Sequence, residues 1–205
     1  MARMDPDDRR DAIVDAAVSV MLREGMAATT VRVVAQEMGT SSGLIHHYFA
    51  SMDQLLAAAF DRAATQDLRA TRAAMAASDG PVSRLGAFFS TYARAEQEWA
   101  FQIWLDAWAE AARRPHVRDT SRRLNVAWQQ LLVETIVSGV EQKAMTCADP
   151  DAAGWRILSL LEGLVVQAVA HRLPIGRQVL IEWAVGHAEM EVGLTPGSVA
   201  RACAH

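Results

Sequence analysis

Cysteine is scarce in this chain of 205 residues, which has only Cys147 and Cys203. Two cysteines so far apart in sequence form neither a disulfide framework nor a CxxC metal or redox motif, and they favour a protein of the reducing cytoplasm. The N-terminal segment MARMDPDDRRD is acidic and lacks the apolar stretch of a signal peptide. The longest apolar run, about residues 157–170, contains Glu162 and falls short of the roughly 20 residues that a membrane span needs. We therefore predict a cytoplasmic protein without a membrane partner.

Alternating runs of valine and isoleucine are also absent, although 51% of the residues are hydrophobic. The apolar residues recur at helical spacing instead, which predicts an all-α protein of about nine helices. The formal net charge of −4 gives no general attraction to polyanions. Because the sequence contains no GxSxG, HExxH or P-loop motif and no paired-carboxylate constellation, we predict neither an enzyme nor a protein that needs a cofactor.

The first fifty residues have the pattern of a three-helix helix-turn-helix unit. Two helices that cross steeply need a small residue at their contact, where Ala35 lies, and the turn needs a residue that tolerates positive φ, which is Gly39. Ile45 can point back into the small core of this unit. The opposite face of the third helix then remains free, and it carries Ser42, Gly43, His46 and His47.

Residues 29–56, TTVRVVAQEMGTSSGLIHHYFASMDQLL, resemble the DNA-binding signature of the tetracycline-repressor (TetR) family of transcriptional regulators. The resemblance implies a ligand-responsive repressor that binds a palindromic operator in double-stranded DNA as a homodimer, with the third helix in the major groove. It implies base contacts by Arg32, Ser42, Gly43, Leu44 and His46. It also implies that phosphates are held by the first amides of the fourth helix and by Thr30, Ser41, His47 and Tyr48. The alternative for the two histidines is a solvated surface pair.

The charge of this region departs from the family pattern. The family usually has a lysine after the serine that starts the fourth helix, whereas this chain has Met52. Residues 1–50 also contain five arginines against seven acidic residues. We therefore predict modest non-specific affinity for DNA and a shallow dependence of binding on salt concentration.

The remainder of the chain predicts a larger helical domain. We place the DNA-binding domain at residues 1–50, a domain for effector binding and dimerisation at 51–195, and a flexible tail at 196–205. The last two long helices have more apolar surface than one face against one core requires. The predicted dimer interface consists of Leu158, Leu161, Val165, Val169, Leu180, Trp183 and His187. The alternative is that these residues only complete the core of one subunit.

Tryptophan is unusually frequent, with six residues, three of them in the stretch WAFQIWLDAW. Aromatic faces beside a carboxylate can hold a quaternary ammonium group, and residues 98–123 are similar, more weakly, to the sensor region of choline-responsive, BetI-type TetR members. The predicted effector pocket consists of Phe88, Tyr92, Trp104, Trp108, Trp128, Trp155 and Glu162. The alternatives are that the tryptophans are core residues or line a generic apolar pocket. Glu162 faces either this pocket or the dimer interface.

Two other functional classes stay open from the sequence alone. The first is a helical enzyme or binding protein that uses the tryptophan-rich pocket, although a pocket by itself is poor evidence for catalysis. The second is a redox-sensing regulator that uses Cys147 or Cys203, which are both isolated in sequence.

Overall fold

A computed structural model describes residues 5–93, 98–171 and 174–202. All regular secondary structure in these ranges is helical, as the all-α prediction requires. The described residues form ten helices, one more than expected: α1 (Pro6–Glu24), α2 (Val31–Glu37), α3 (Ser42–Tyr48), α4 (Met52–Ala76), α5 (Gly80–Ala93), α6 (Glu98–Ala111), α7 (Pro115–Glu141), α8 (Pro150–Val169), α9 (Arg177–Glu191) and α10 (Ser198–Ala202).

The chain divides into two compact units whose boundaries differ from the predicted domains. Unit 1 comprises Met1–Gln66 and Gln102–Leu124, whereas unit 2 comprises Asp67–Phe101 and Asn125–His205. The sequence pattern ended the first domain at residue 50 because the signature ends near there. The structure instead adds to that segment the first part of α4, the last part of α6 and the first part of α7.

The start of unit 1 follows its sequence signals closely. Asp5 caps α1 by accepting a hydrogen bond of 2.9 Å from the amide of Asp7, and Pro6 occupies the first helical turn. The helix ends at Gly25, whose φ of 86° is a conformation that glycine adopts without strain. The buried face of α1 consists of Ile13, Val14, Ala17, Val20 and Met21.

Side-chain contacts tie the four helices α1, α4, α6 and α7 together within unit 1. Arg62 on α4 pairs with Asp11 at 2.6 Å and with Asp15 at 2.5 Å on α1. Asp53, at the start of α4, accepts hydrogen bonds from the first amides of α7. Asp106 on α6 accepts a hydrogen bond of 2.8 Å from the amide of Met26, just after α1. These contacts explain why parts of α6 and α7 belong to the same unit as the helix-turn-helix.

Unit 2 is built from helices that pack on one another in the order α8, α9, α5 and α10. The segment predicted as a flexible tail contains α10, and Val199 on it is 3% exposed. The carboxylate of Glu189 accepts hydrogen bonds of 2.8 Å from the amides of Gly197 and Val199. These bonds satisfy backbone donors at the start of α10 and hold it against α9. Pro196 and Gly197 predicted a tail because they are typical of a chain end, whereas the contact with Glu189 depends on tertiary packing.

Helix α8 is the one described helix that is long and apolar enough to cross a membrane, with a mean hydropathy of 1.3 over its most apolar window. Length and hydropathy alone are weak evidence for a span, because a helix that contributes to a core or a subunit contact has the same composition. Only 28% of that window is buried in the single chain. Much of the apolar surface of α8 is therefore accessible to solvent in the single chain.

Candidate functional sites

The helix-turn-helix has the geometry that its sequence predicts. Thr30 caps α2 by accepting a hydrogen bond of 3.3 Å from the amide of Val33. Ala35 is 3% exposed and Ile45 is 1% exposed, so the small residue and the inward isoleucine both lie in the core. Gly39 has a φ of 61°, which confirms the predicted left-handed turn. Helix α3 is consequently held by one face while its other face meets solvent.

Most residues predicted to contact DNA are accessible in this arrangement. Two of the nine residues, Leu44 and Tyr48, are half-buried. The other seven are exposed: Thr30, Arg32, Ser41, Ser42, Gly43, His46 and His47. The described residues hold no group of three metal-binding side chains, and the rings of His47 and Tyr48 pack edge to face with centroids 5.1 Å apart. The accessible face therefore offers hydrogen-bond donors to a partner.

The start of α4 offers a second set of donors beside α3. The hydroxyl of Ser51 accepts a hydrogen bond of 3.2 Å from the amide of Gln54, whose side chain accepts one of 3.2 Å from the amide of Ala50. This exchange resembles a capping box and fixes the entry of the chain into the helix. The N-terminus of a helix attracts anions through its amides and its dipole, so this end suits a phosphate even though Met52 adds no charge.

Unit 2 contains a compact group of aromatic rings, which we call the aromatic cluster: Phe88, Tyr92, Phe101 and Trp128. Tyr92 lies at its centre, with ring centroids 5.3 Å from Phe88, 5.8 Å from Phe101 and 5.8 Å from Trp128. The rings of Tyr92 and Phe101 are stacked, and those of Tyr92 and Trp128 meet edge to face. Three helices, α5, α6 and α7, supply these rings.

Two carboxylates accompany the aromatic cluster, and neither has a basic partner among the described residues. The one described cation on the cluster itself is Arg177, whose guanidinium carbon lies 5.0 Å from the centroid of the Phe101 ring. Burial raises the pKa of Asp67 on α4 to about 6 and the pKa of Glu162 on α8 to about 7. Burial also raises the pKa of the Tyr92 hydroxyl well above its usual value, and the charges of Asp67 and Glu162 raise it further. Both carboxylates therefore lie near Tyr92, which places Glu162 on the side of the aromatic cluster. A bound cation would favour the ionised form of both groups.

Four buried polar atoms lack a hydrogen-bond partner among the described residues, and one of them is the Nε of Arg84, one turn before Phe88 on α5. The indole Nε1 of Trp128 and the Oδ1 of Asn125 are two of them, one turn apart on α7. The hydroxyl of Thr71 is another, one turn after Asp67 on α4. Such atoms are costly to bury unless something satisfies them. Trp128 belongs to the aromatic cluster, so at least one of these polar atoms lies within it.

The other predicted pocket residues make different contacts. Trp104 and Trp108 belong to unit 1, where their ring centroids are 5.8 Å apart and Trp104 packs edge to face on Phe60 at 5.0 Å. Trp155 on α8 is 39% exposed. Among the predicted pocket residues, the rings of Phe88, Tyr92 and Trp128 contact one another, and the pocket as a whole stays a prediction. The helical spacing of WAFQIWLDAW placed Trp104 and Trp108 on one face but did not reveal which unit that face belongs to.

The residues predicted for the dimer interface also divide. Leu158, Leu161 and Leu180 are at most 4% exposed, so they belong to the core of the single chain and have almost no surface to offer a partner. Val165, Val169 and His187 are half-buried. Trp183 is 52% exposed, and the same outward face of α9 includes Val179 at 38% and Met190 at 71%. The dimer interface therefore stays a prediction, and Trp183 is the one residue of the predicted set that is exposed in the described structure.

Two families match the sequence. Residues 13–59 match the tetR family of bacterial regulatory proteins, and residues 81–193 match the C-terminal domain of BetI-type transcriptional repressors. This chain belongs to the TetR family. Its relatives include the HTH-type transcriptional regulator BetI of Agrobacterium fabrum, which is 31% identical over 82% of this chain and 80% of its own length. The BetI of Rhizobium meliloti is 33% identical over 82% and 81% of the two chains.

A solved structure has the same fold as this TetR-family chain. A protein from Saccharomonospora viridis, crystallised in complex with choline, superposes with a TM-score of 0.79 over 91% of this chain and 98% of its own. At 22% identity this likeness supports the fold alone. The family establishes a transcriptional regulator rather than an enzyme, of a kind that binds DNA and small-molecule effectors.

Sequence reasoning missed several residues of the aromatic cluster and its surroundings. Asp67 lies on the buried face of α4, in line with Phe60, Ala64 and Thr71. An acidic residue within an apolar stripe of a helix is a detectable signal of a buried carboxylate. The tryptophan pattern, from which the pocket is predicted, does not include Asp67. Cys147 is free and half-buried, whereas Cys203 lies outside the described residues. The redox hypothesis therefore stays a prediction.

Proposed function

We propose that this protein is a cytoplasmic, homodimeric repressor that binds a palindromic operator and is switched by a quaternary ammonium compound of the choline class. Each subunit presents one recognition helix, α3, and a palindrome presents two half-sites about one helical turn of DNA apart. Base contacts come from Arg32, Ser42, Gly43, Leu44 and His46. Phosphate contacts come from the first amides of α4 and from Thr30, Ser41, His47 and Tyr48. These assignments are supported by the exposure of most of these residues around α3.

The proposed subunit contact uses the outward faces of α8 and α9. Val179, Trp183 and Met190 recur at helical spacing on α9, and Trp155 is similarly exposed on α8. Exposed apolar residues arranged as one stripe mark an interaction surface. Helices α8 and α9 are consecutive and pack on each other, so two subunits would form a four-helix contact around a two-fold axis.

The Trp183→Glu variant tests this contact. We expect the wild-type protein to be a dimer by light scattering and the variant to be a monomer at micromolar concentration, because two buried carboxylates would face each other across the axis. The control is Val126→Glu, which places the same charge at another exposed position, a valine that is 43% exposed on α7. A Trp183→Glu protein that stays dimeric would contradict the proposed interface.

The proposed effector site is the aromatic cluster with its two carboxylates. The observation that supports it most directly is the position of Asp67 and Glu162 beside Tyr92 without a basic partner among the described residues. A trimethylammonium group is attracted by aromatic faces and by a carboxylate, and it donates no strong hydrogen bond. Trp128 adds an indole N–H that a hydroxyl of the ligand can accept. Choline is the first ligand to test because the Saccharomonospora viridis protein, which has the same fold, was crystallised with it.

The proposed switch depends on helices that are shared by both units. Helix α4 carries Phe60 in unit 1 and Asp67 in unit 2, and α6 carries Phe101 in unit 2 and Asp106 in unit 1. A ligand that binds Asp67 and Phe101 therefore acts on helices that continue into the DNA-binding unit. It changes operator affinity only if it binds the two arrangements of these helices with different affinities.

Thermal unfolding in the presence of choline, glycine betaine and planar aromatic cations tests the effector assignment. A ligand that binds only the folded protein raises the midpoint by mass action. We expect choline to do so in the wild-type protein, and we expect Tyr92→Ala and Glu162→Gln to reduce the shift, with a loss of affinity of roughly 10- to 100-fold. Trp108→Ala is the matched control, since it removes a tryptophan from unit 1 and should leave the shift in place.

Two outcomes would change the effector assignment. If uncharged planar compounds raise the midpoint and quaternary ammonium compounds do not, the aromatic cluster lines a generic apolar pocket. If Trp108→Ala abolishes the choline shift while Tyr92→Ala preserves it, the site lies in unit 1. Glycine betaine should bind more weakly than choline, because its own carboxylate would approach Asp67 and Glu162.

A further inference from the structure

Unit 1 contains an open cleft of about 560 Å³ beside the recognition helix. It lies where four helices approach one another, and its walls come from the first turns of α1, the end of α3, the start of α4 and the first turns of α7. Six of its nine lining residues carry side-chain hydrogen-bond donors: Arg10, Tyr48, Gln54, His116, Thr120 and Arg123. The one acidic residue in the lining is Asp119.

The two arginines of the cleft are held in place by neighbours that leave donors available. The guanidinium carbon of Arg10 lies 4.8 Å from the centroid of the Phe49 ring, so the ring faces the charge without accepting its N–H groups. Arg123 pairs with Asp61 at 2.7 Å, and a guanidinium has five N–H donors, so this pair leaves others unused. Asp119 is 3.4 Å from Arg122 and 3.6 Å from Arg118, which offset its charge.

The cleft continues the surface that α3 and α4 are proposed to present to DNA. Tyr48, a proposed phosphate contact, forms part of its wall. Asp53 in the first turn of α4 accepts hydrogen bonds of 3.1 Å and 3.3 Å from the amides of His116 and Val117. The start of α7 is therefore fixed directly beside the start of α4, whose amides are the other proposed phosphate contact.

We propose that this cleft binds a phosphate of the DNA backbone adjacent to the one at Tyr48, so that α7 extends the DNA footprint of each subunit. Arg10 and Arg123 supply charge, and His116 and Thr120 supply further donors. The inference rests on the proposed function, because it requires that α3 occupies the major groove. We assign duplex DNA rather than a free anion as the ligand because the cleft is continuous with Tyr48 and the start of α4.

The charge of the assembled unit agrees with this assignment better than the charge of the first fifty residues does. Residues 1–50 contain five arginines and seven acidic residues, whereas unit 1 as a whole contains 11 arginines and 12 acidic residues. Five of the added arginines lie between residues 113 and 123. The salt dependence of DNA binding should therefore be steeper than the helix-turn-helix alone predicts.

The test compares the wild-type protein with the double variant Arg10→Gln/Arg123→Gln on duplexes of about 40 bp that the wild-type protein selects from a random library. Loss of one phosphate contact per subunit should reduce the slope of log K against log salt by about 2 for a dimer and weaken binding by about tenfold or more near 0.1 M salt. The control, Arg69→Gln/Lys143→Gln, removes the same charge from exposed positions of unit 2 and should leave the slope unchanged.

A gain of binding provides a second test that misfolding cannot imitate. Thr120→Arg adds a guanidinium to the wall of the cleft, and we expect tighter binding with a steeper salt slope. In phosphate-ethylation interference, ethylation of one backbone phosphate per half-site should weaken binding of the wild-type protein. Ethylation of the same phosphate should not weaken binding of Arg10→Gln/Arg123→Gln. These two results together would support the footprint on α7.

The failures of this inference are distinguishable from failures of the proposed function. If the double variant and the wild-type protein have the same salt slope and ethylation pattern, the inference is overturned and the proposed function stands. If inorganic phosphate raises the unfolding midpoint of the wild-type protein but not of the double variant, while the DNA slope is unchanged, the cleft binds a free anion and the inference is again overturned. If the wild-type protein selects no duplex at all, the proposed function and the inference fail together.

Discussion

The molecule contains two groups of aromatic residues, one in each unit, and they differ in the acidic residues beside them. In unit 1, Trp104 packs on Phe60, and the neighbouring carboxylate of Asp106 accepts hydrogen bonds from the Met26 amide at 2.8 Å and from the Gln102 side chain at 3.1 Å. In unit 2, the aromatic cluster lies beside carboxylates whose pKa values burial raises to about 6 and about 7.

This difference separates a structural contact from a binding site. A carboxylate whose oxygens accept protein hydrogen bonds already has its charge satisfied, and it adds little to the attraction of a cation. A carboxylate that is buried without a partner is destabilised, and a bound cation would relieve that cost. The aromatic residues of unit 1 therefore stabilise the fold, whereas we assign ligand binding to those of unit 2.

Removing the fully buried ring of the unit 1 group should have the largest effect. Phe60 is fully buried, so Phe60→Ala should lower the free energy of unfolding by about 3–5 kcal/mol through lost burial and a residual cavity. The measurement is chemical denaturation with and without choline. The stabilisation that choline gives should persist in the variant, provided that it still folds at low temperature. If the alanine variant does not fold, Phe60→Leu gives the same comparison with a smaller cavity. Loss of the stabilisation by choline in Phe60→Leu would show that the unit 1 aromatic residues also contribute to ligand binding.

The pH dependence of stability sharpens the comparison for unit 2. The folded protein holds the proton of Glu162 up to a pH of about 7, whereas the unfolded chain releases it near the ordinary value of 4.5. The folded state therefore binds more protons between these values, and this group makes stability fall as pH rises from about 4.5 to about 7. Glu162→Gln removes that contribution and should raise the free energy of unfolding at pH 8 by about 1–3 kcal/mol.

The control for this measurement is Glu134→Gln, because Glu134 is 56% exposed and pairs with Arg72 at the surface. It should leave the pH dependence of stability close to that of the wild-type protein. Asp67→Asn should act like Glu162→Gln, over a window that ends near pH 6. If Glu162→Gln and the wild-type protein lose equal stability between pH 4.5 and 7, Glu162 is not buried without a partner in solution.

The sequence predicted local structure well where one element carries its own signals. Asp5, Thr30 and Gly39 identified a cap, a second cap and a left-handed turn, because each acts on the residues beside it. It predicted poorly where the outcome depends on which distant element a side chain meets. Trp104 and Tyr92 are both aromatic residues at helical spacing, and only tertiary packing assigns one to Phe60 and the other to Asp67 and Glu162.

The smallest expected effect concerns the acid of unit 1. Asp106→Asn keeps an oxygen that can accept from the Met26 amide, so we expect a loss of stability of about 1 kcal/mol or less, measured by chemical denaturation. Asp106→Ala is the matched variant, and it should cost about 1–3 kcal/mol because the amide of Met26, a fully buried residue, loses its acceptor. Neither variant should alter the choline affinity of the folded protein. If Asp106→Asn weakened choline binding as strongly as Glu162→Gln, the charge of Asp106 would act on the ligand, and hydrogen bonding would not separate the two acids.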